Sequence, residues 1–373
     1  MNSSVLFVAR CTPTGELKKS YLRGLVGDLY ENGLVIDVYD PKQMKLYDYR
    51  GEYIRSLGAP ALAPTIVKRA MCLRRVLREY AQAGKWVHMF HLRYELLLSG
   101  YRLGDTKRYI CTLYGGDHYT NPVKPLCRPI FRKFGVITAQ KEELLSSFDA
   151  YYSARARGQD LRVLDMPLYQ LRHYRRAASG RLREGGETRQ SDLVTVVVGT
   201  NASPNEQHEL IFTAIKMLGE QEREKLHLVI PLTYDGPKER RRRIVNEAGS
   251  LGVAKVTPLL QYLTDEALAE IRLAADVFVN FRKSDQMNVA VYESIYSGAI
   301  IINGSWLDYR HLPSDREMIM QASDIAGLRE SLSRAISSVS RGAPGYRTED
   351  LETVGERTLP HKVLPRWLAL YGN

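Results

Sequence analysis

Short runs of β-branched and apolar residues recur along the chain, each followed by a longer stretch in which apolar residues return every three or four positions. That alternation predicts parallel α/β units, because a buried parallel strand reads as a continuous apolar run and its crossover as an amphipathic helix. VLFVAR, LVIDVYD, WVHMFHL, RYICTLY and GVITAQ form a first series of strands, with LKKSYLRGLVGDLYENG as the clearest helix among them. DLVTVVVGT, LHLVIPLTY, AKVTPL, DVFVNF and AIIING form a second. One doubly wound sheet followed by another is therefore expected, in the α/β class.

Between the two series lies QLRHYRRAASGRLREGGETRQS, polar, rich in arginine and almost without apolar periodicity. It reads as a basic linker over 169–190, separating a first domain, 1–168, from a second, 191–355. The closing segment, 356–373, carries the amphipathic HKVLPRWLALY, a helix expected to cross back to the first domain. A length of 373 residues suits two domains, and 44% hydrophobic with 25% charged residues is the composition of an ordinary globular protein.

The N-terminus MNSSVLFVAR has five apolar residues in a row with no basic segment ahead of them, so it reads as a strand and not as a leader. No apolar stretch approaches the roughly 20 residues that span a bilayer. Cys11, Cys72, Cys111 and Cys127 show no metal-ligand spacing and read as reduced thiols, which makes a cytoplasmic location the expectation.

Net charge changes the picture most, because +11 attracts phosphorylated ligands, polyanions or anionic membrane surfaces. The stretch PTIVKRAMCLRRVLREYAQAG, with Lys68, Arg69, Arg74, Arg75 and Arg78, suits a helix lying on the inner face of the cell membrane, or one that packs on a core and shows its basic face to water. The basic linker and KERRRRIVNE read as solvated faces, the linker alternatively as a contact for acidic lipid or ligand phosphate. No RNP, helix-turn-helix or zinc signature accompanies the charge, so no nucleic-acid partner is expected; a non-catalytic basic nucleic-acid-binding protein stays as an alternative resting on charge alone.

Ligands of open α/β sheets bind beyond the carboxyl ends of the strands. After the strand DVFVNF come the loop RKSDQM and a helix expected from about Asn288 to a stop at Gly298. The backbone N–H groups of Met287, Asn288 and Val289, with Arg282 and Lys283, would form an anion site fit for a diphosphate. Glu293, nearly two turns in, is too deep to cap the helix. It either accepts hydrogen bonds from sugar hydroxyls or is a structural carboxylate paired with an arginine.

The segment SDQMNVAVYESIYSG followed by AIIING, with Asp285 and Glu293 eight apart, resembles the E-x7-E segment of nucleotide-sugar-dependent glycosyltransferases of the GT-B fold. The resemblance implies two Rossmann-like domains facing a cleft, Glu293 as ligand of the donor's ribose, and Asp285, here Asp in place of Glu, as ligand of the donor sugar. Other segments match in the same order. ICTLYGGDHY looks like the H-G-x-D segment, with Tyr114 in place of histidine and Gly115 and Asp117 retained; VHMFHLR, with His88 and His91, looks like the histidine-bearing strand before it. VVVGTNASPNEQHEL, LVIPLTYDG and the Arg282–Gln286 loop are similar to segments of bacterial 4-acetamido-4,6-dideoxygalactose transferases that act on undecaprenyl-linked glycans.

Glycosyl transfer needs a stabilised diphosphate leaving group, an oriented sugar and an acceptor hydroxyl in line. With no D-x-D motif in a suitable loop, metal-independent transfer without a cofactor is expected, the charge falling to the helix N-terminus, Arg282, Lys283 and the loop Gly199, Thr200, Asn201. His88 or His91 is expected to orient the donor sugar or accept a proton, unless it is a core histidine. Asp117 serves catalysis or caps the next helix, and Tyr234 stacks on the base or closes a core edge. Thr14, Gly15 and Glu16 follow the first strand as acceptor-side candidates. The partners expected are a nucleotide-sugar donor and a glycan or lipid-linked glycan. A sugar-nucleotide 2-epimerase of the same architecture is the alternative reaction.

Overall fold

In the computed structural model the described residues are 3–11, 14–17, 20–57, 64–91, 107–114, 118, 124–174, 192–285, 287–309, 311–312, 317–342 and 345–372. The chain divides into two compact units, Met1–Tyr169 with Arg357–Asn373, and Gln170–Glu356.

The first unit is built on an eight-stranded sheet of β1 (Ser4–Val8), β2 (Val35–Asp40), β3 (Lys45–Asp48), β4 (Tyr53–Ser56), β5 (Trp86–Phe90), β6 (Tyr109–Leu113), β7 (Val136–Ala139) and β8 (Asp160–Val163). Its order is β4-β3-β2-β1-β5-β6-β7-β8, parallel except for the antiparallel β2–β3 and β3–β4 pairs. Strand β1 shows why it is central. Val5 and Phe7 enter one apolar cluster and Leu6 and Val8 another, so both faces of the sheet are covered. The helix Pro360–Leu370 supplies Val363, Trp367 and Leu370 to the cluster of Val5 and Phe7, and packs on the helix Ser20–Glu31. The Trp367 indole N–H donates to the Asp165 carbonyl at 2.8 Å, while the Asp165 carboxylate receives Arg357 and Arg366 at 2.7 and 3.1 Å.

The second unit holds β9 (Val194–Val198), β10 (Leu226–Pro231), β11 (Lys255–Leu259), β12 (Val277–Asn280), β13 (Ile300–Gly304) and β14 (Ile319–Ala322). All neighbours are parallel, in the order β11-β10-β9-β12-β13-β14. The chain winds outward from β9 to β11, then returns past β9 to start β12. Loops after β9 and β12 therefore diverge and leave a crevice at their carboxyl ends.

All ten strands expected from the apolar runs are present; β3, β4, β8 and β14 are additional, each of four residues and all at or next to a sheet edge. The linker expected at 169–190 starts later, since Leu171 and Tyr174 are buried; its remainder, 175–190, lies outside the described residues. The helix Thr65–Gln82 buries Ala70, Cys72, Leu73, Val76, Leu77 and Tyr80, and leaves Arg75, Arg78, Ile66 and Met71 exposed. All four cysteines are buried thiols outside any disulfide. No helix among the described residues is long and apolar enough to cross a membrane.

Candidate functional site

At the carboxyl ends of β9 to β12 in the second unit lies a cavity of about 340 Å³. Thr200 and Asn201 line it from the loop after β9, Thr233 and Tyr234 from the loop after β10, Tyr262 and Leu263 from that after β11, and Arg282 with Met287, Asn288 and Val289 from that after β12. Arg272 and Glu293 line it from two helices, and Gln170 from the segment that opens the unit.

The β9 loop is shaped by a buried carboxylate. Gly199 sits at φ +67°, and a Cβ there would lie 2.9 Å from Glu206 Oε2, so the position needs glycine for both backbone and space. The Thr200 N–H donates to Glu206 Oε2 at 3.1 Å and the Thr200 hydroxyl to Oε1 at 2.8 Å. Asn201 turns inward to accept the Ser203 N–H at 2.8 Å. Burial raises the Glu206 pKa above the usual carboxylate value, against the pull of Arg282 and Thr200.

Arg282 lies between two carboxylates, Glu206 at 3.3 Å and Asp285 at 3.4 Å. The Tyr309 hydroxyl donates to Asp285 Oδ2 and accepts the Asn288 N–H at 3.1 Å. Asn288 caps the helix Val289–Ser297 by accepting the Ala290 N–H at 3.2 Å, and its Nδ2 donates to Asn280 Oδ1 at 3.0 Å. Asn280 in turn donates to Asn303 at 2.8 Å, which ties the cap to the ends of β12 and β13. The helix stops at Gly298, φ +83°.

Glu293 is paired with an arginine, one of the two readings the sequence left open, and it also faces the cavity. Its carboxylate is 3.6 Å from Arg272 Nε, both side chains are buried, and both line the cavity. Burial raises the Glu293 pKa, while Arg272 and Gln170 favour the charged form.

Several expectations are corrected. His88 does not reach a strand end: it is wholly buried, with Nδ1 2.6 Å from the Tyr371 hydroxyl and Nε2 2.6 Å from Thr112 Oγ1, stacked on Phe90 and near-parallel to Trp367. Desolvation lowers its pKa to about 3, so it is a neutral core histidine. Asp285, expected to hold the donor sugar, has its carboxylate engaged by Tyr309 and Arg282 and does not line the cavity. Of the three backbone N–H groups expected to form an anion site, that of Asn288 is taken by Tyr309. Lys283 is exposed at the loop's edge, its N–H donated to the Asn205 carbonyl at 2.9 Å.

The remaining candidates fall as follows. Thr200, Asn201, Tyr234, Arg282, Met287, Asn288, Val289 and Glu293 come together around one cavity, with Gly199 shaping its wall. In the first unit His91 is exposed at the end of β5 and stacks on Tyr114 with ring centroids 3.9 Å apart. Gly15, φ +96°, packs where a Cβ would lie 2.2 Å from the Gly51 carbonyl oxygen, flanked by exposed Thr14 and by Glu16, which pairs with Arg23 at 3.3 Å. Gly115, Asp117 and Gln286 lie outside the described residues. Among the described residues no group of three or more His, Cys, Asp or Glu side chains is arranged to hold a metal ion.

Sequence reasoning missed Glu206, Arg272 and Tyr309. Only Arg272 left a signal: it falls three positions after Ala269 on the buried face of its helix, where an arginine needs a partner.

A six-stranded parallel sheet of this order with its cavity at the crossover, joined to a second α/β unit, defines the two-unit Rossmann-like class called GT-B. Solved structures of that class match the chain over its whole length. A glycosyltransferase from Rickettsia africae ESF-5 is 11% identical with a TM-score of 0.70, covering 99% of this chain and 98% of that one. Sucrose-phosphate synthase from Thermosynechococcus elongatus is 14% identical with a TM-score of 0.71 and coverage of 100% and 98%. A UDP-forming α,α-trehalose-phosphate synthase from Burkholderia xenovorans is 15% identical with a TM-score of 0.67 and coverage of 100% and 99%. No protein-family model and no curated protein matches the sequence.

Proposed function

We propose that the chain is a glycosyltransferase that moves a sugar from a nucleoside diphosphate donor to a hydroxyl of a glycan or lipid-linked glycan, without a metal ion. The observation that carries this reading is the cavity at the crossover of the second sheet, with a buried Glu293 at one part and Arg282 beside a capped helix N-terminus at another. In the reaction the bond from the anomeric carbon to the diphosphate breaks, a bond to the acceptor oxygen forms, and the acceptor proton leaves. Glu293 accepts hydroxyls of the donor's ribose. Arg282 and the N-terminal turn of the helix Val289–Ser297 meet the diphosphate as charge builds on it. Tyr234, half-exposed on the cavity wall, stacks on the base. The structural neighbours, among them a UDP-forming trehalose-phosphate synthase, agree with a nucleotide-sugar donor.

The acceptor side rests on charge. The excess of +11 and the exposed Arg75 and Arg78 beside Ile66 and Met71 suit a peripheral site on an anionic cytoplasmic membrane face, where a lipid-linked acceptor would lie.

A thermal-shift panel of UDP-, GDP-, ADP- and dTDP-sugars tests the reading. Saturation at a hundred times Kd stabilises the native state by about 2.7 kcal/mol, enough to identify the nucleotide. Glu293→Ala abolishes the shift. Donor binding that is unchanged in this variant would sink the assignment of Glu293.

A further inference from the structure

Arg272 is buried in the wall of the cavity, its guanidinium laid on the Phe278 ring at 4.7 Å. Glu293 Oε2 stands 3.6 Å from its Nε, close enough for an ion pair and too far for a good hydrogen bond. Among the described residues, Nε and Nη1 of Arg272 have no hydrogen-bond acceptor. A buried N–H without an acceptor is costly, and here two of them border a cavity that a ligand can enter. The groups facing Glu293 are Arg272 and Asp265 from the helix Asp265–Leu273, and Gln170 and Tyr174 from the opening segment.

The pairing limits what can fill the gap. An anion would meet the carboxylate of Glu293, and a cation would meet the guanidinium. A neutral hydroxyl satisfies both, since it donates to a carboxylate oxygen and accepts from an N–H through the same oxygen atom. We propose that Arg272 and Glu293 together read a hydroxyl of the nucleotide's pentose, Arg272 as hydrogen-bond donor to it and Glu293 as acceptor, which makes Arg272 a specificity-determining contact of the donor site. This rests on the reading of the cavity as a nucleotide-sugar site. A purely structural arginine would hold its helix against Glu293 without touching the ligand, and the two roles separate in a binding cycle.

Titration calorimetry measures the affinity of wild type, Arg272→Met and Arg272→Lys for the nucleoside diphosphate that the wild type binds and for its analogue without pentose hydroxyls, with circular dichroism to confirm folding. Wild type is expected to prefer the hydroxylated nucleotide by at least about tenfold, the loss incurred when a polar site meets a ligand lacking its partner. In Arg272→Met the preference falls below about threefold, while Arg272→Lys, which keeps the charge and one donor, lies between. If Arg272→Met does not fold, the fall in Arg272→Lys carries the test alone. A variant that binds both nucleotides more weakly by the same factor, with the preference intact, overturns the proposal and leaves the nucleotide site standing. A wild type that binds no nucleoside diphosphate overturns the underlying reading of the cavity.

Discussion

His88 offers the sharpest contrast between a catalytic and a structural histidine. Its folded pKa is about 3 against 6.5 for an ordinary histidine, the cause being burial. The unfolded chain therefore takes up a proton as pH falls below 6.5, while the folded chain does not. Stability from the neutral ring is fully present above 6.5 and is lost as pH falls toward 3, at about 1.4 kcal/mol per unit. Between pH 6.5 and 5 that amounts to about 2 kcal/mol. His88→Gln removes the titration and retains groups able to meet Thr112 and Tyr371. Urea unfolding at pH 7 and pH 5, followed by the fluorescence of Trp367 against the ring, gives the difference. Wild type is expected to lose about 2 kcal/mol more than the variant over that interval. His208, lowered to about 4 by burial, contributes with the same sign in both proteins and cancels. Equal pH dependence in the two would refute the reasoning, as would loss of transfer activity at pH 7 in a fully stable His88→Gln.

Other sites give distinct outcomes. Gly15→Ala forces a Cβ to 2.2 Å from the Gly51 carbonyl at φ +96° and is expected to cost about 1–3 kcal/mol in urea unfolding. Asn288→Ala removes the helix cap and the bond to Asn280, lowering stability by about 1–3 kcal/mol and weakening donor binding measured by calorimetry. Glu206→Ala strips Thr200 of two hydrogen bonds and Arg282 of a buried partner, and a loss of about 3–5 kcal/mol should appear as a lower melting temperature. Transfer activity assayed in EDTA should match that without it; a loss that magnesium restores would contradict metal-independent transfer.

The strands that position the cavity were legible because a central parallel strand is apolar on both faces, as in VTVVV and VFVN. β3 and β8 were not: KLYD and DLRV carry charges at edge or near-edge positions where one side meets water. In the site, sequence separation decides the matter. Asn288 and Gly298 are helix-end residues whose chemistry is local, so the helix start and stop could be read directly. The Glu206–Arg282 and Arg272–Glu293 pairs join residues from different loops and helices, which only the sheet order brings together. Asp285 shows the reverse hazard, since a spacing that placed it in the right loop said nothing of Tyr309, 24 positions on, which holds its carboxylate.

The partners of Arg282 also change the meaning of the chain's charge. A bound diphosphate would ordinarily be met by unbalanced cations, yet Arg282, which lines the cavity by the helix N-terminus, is flanked by two carboxylates. With both ionised, that corner carries no positive excess, and attraction for an anion there would rest on the positive end of the helix dipole. Glu206 can relieve the imbalance, since burial already favours its protonated form and an arriving dianion favours it further. The excess of +11 would consequently act at a distance, through exposed groups such as Lys283 and Arg78, by raising the rate at which an anionic ligand is met. Salt should then slow association more than it weakens the bound complex, because buried pairs are screened far less than exposed charges.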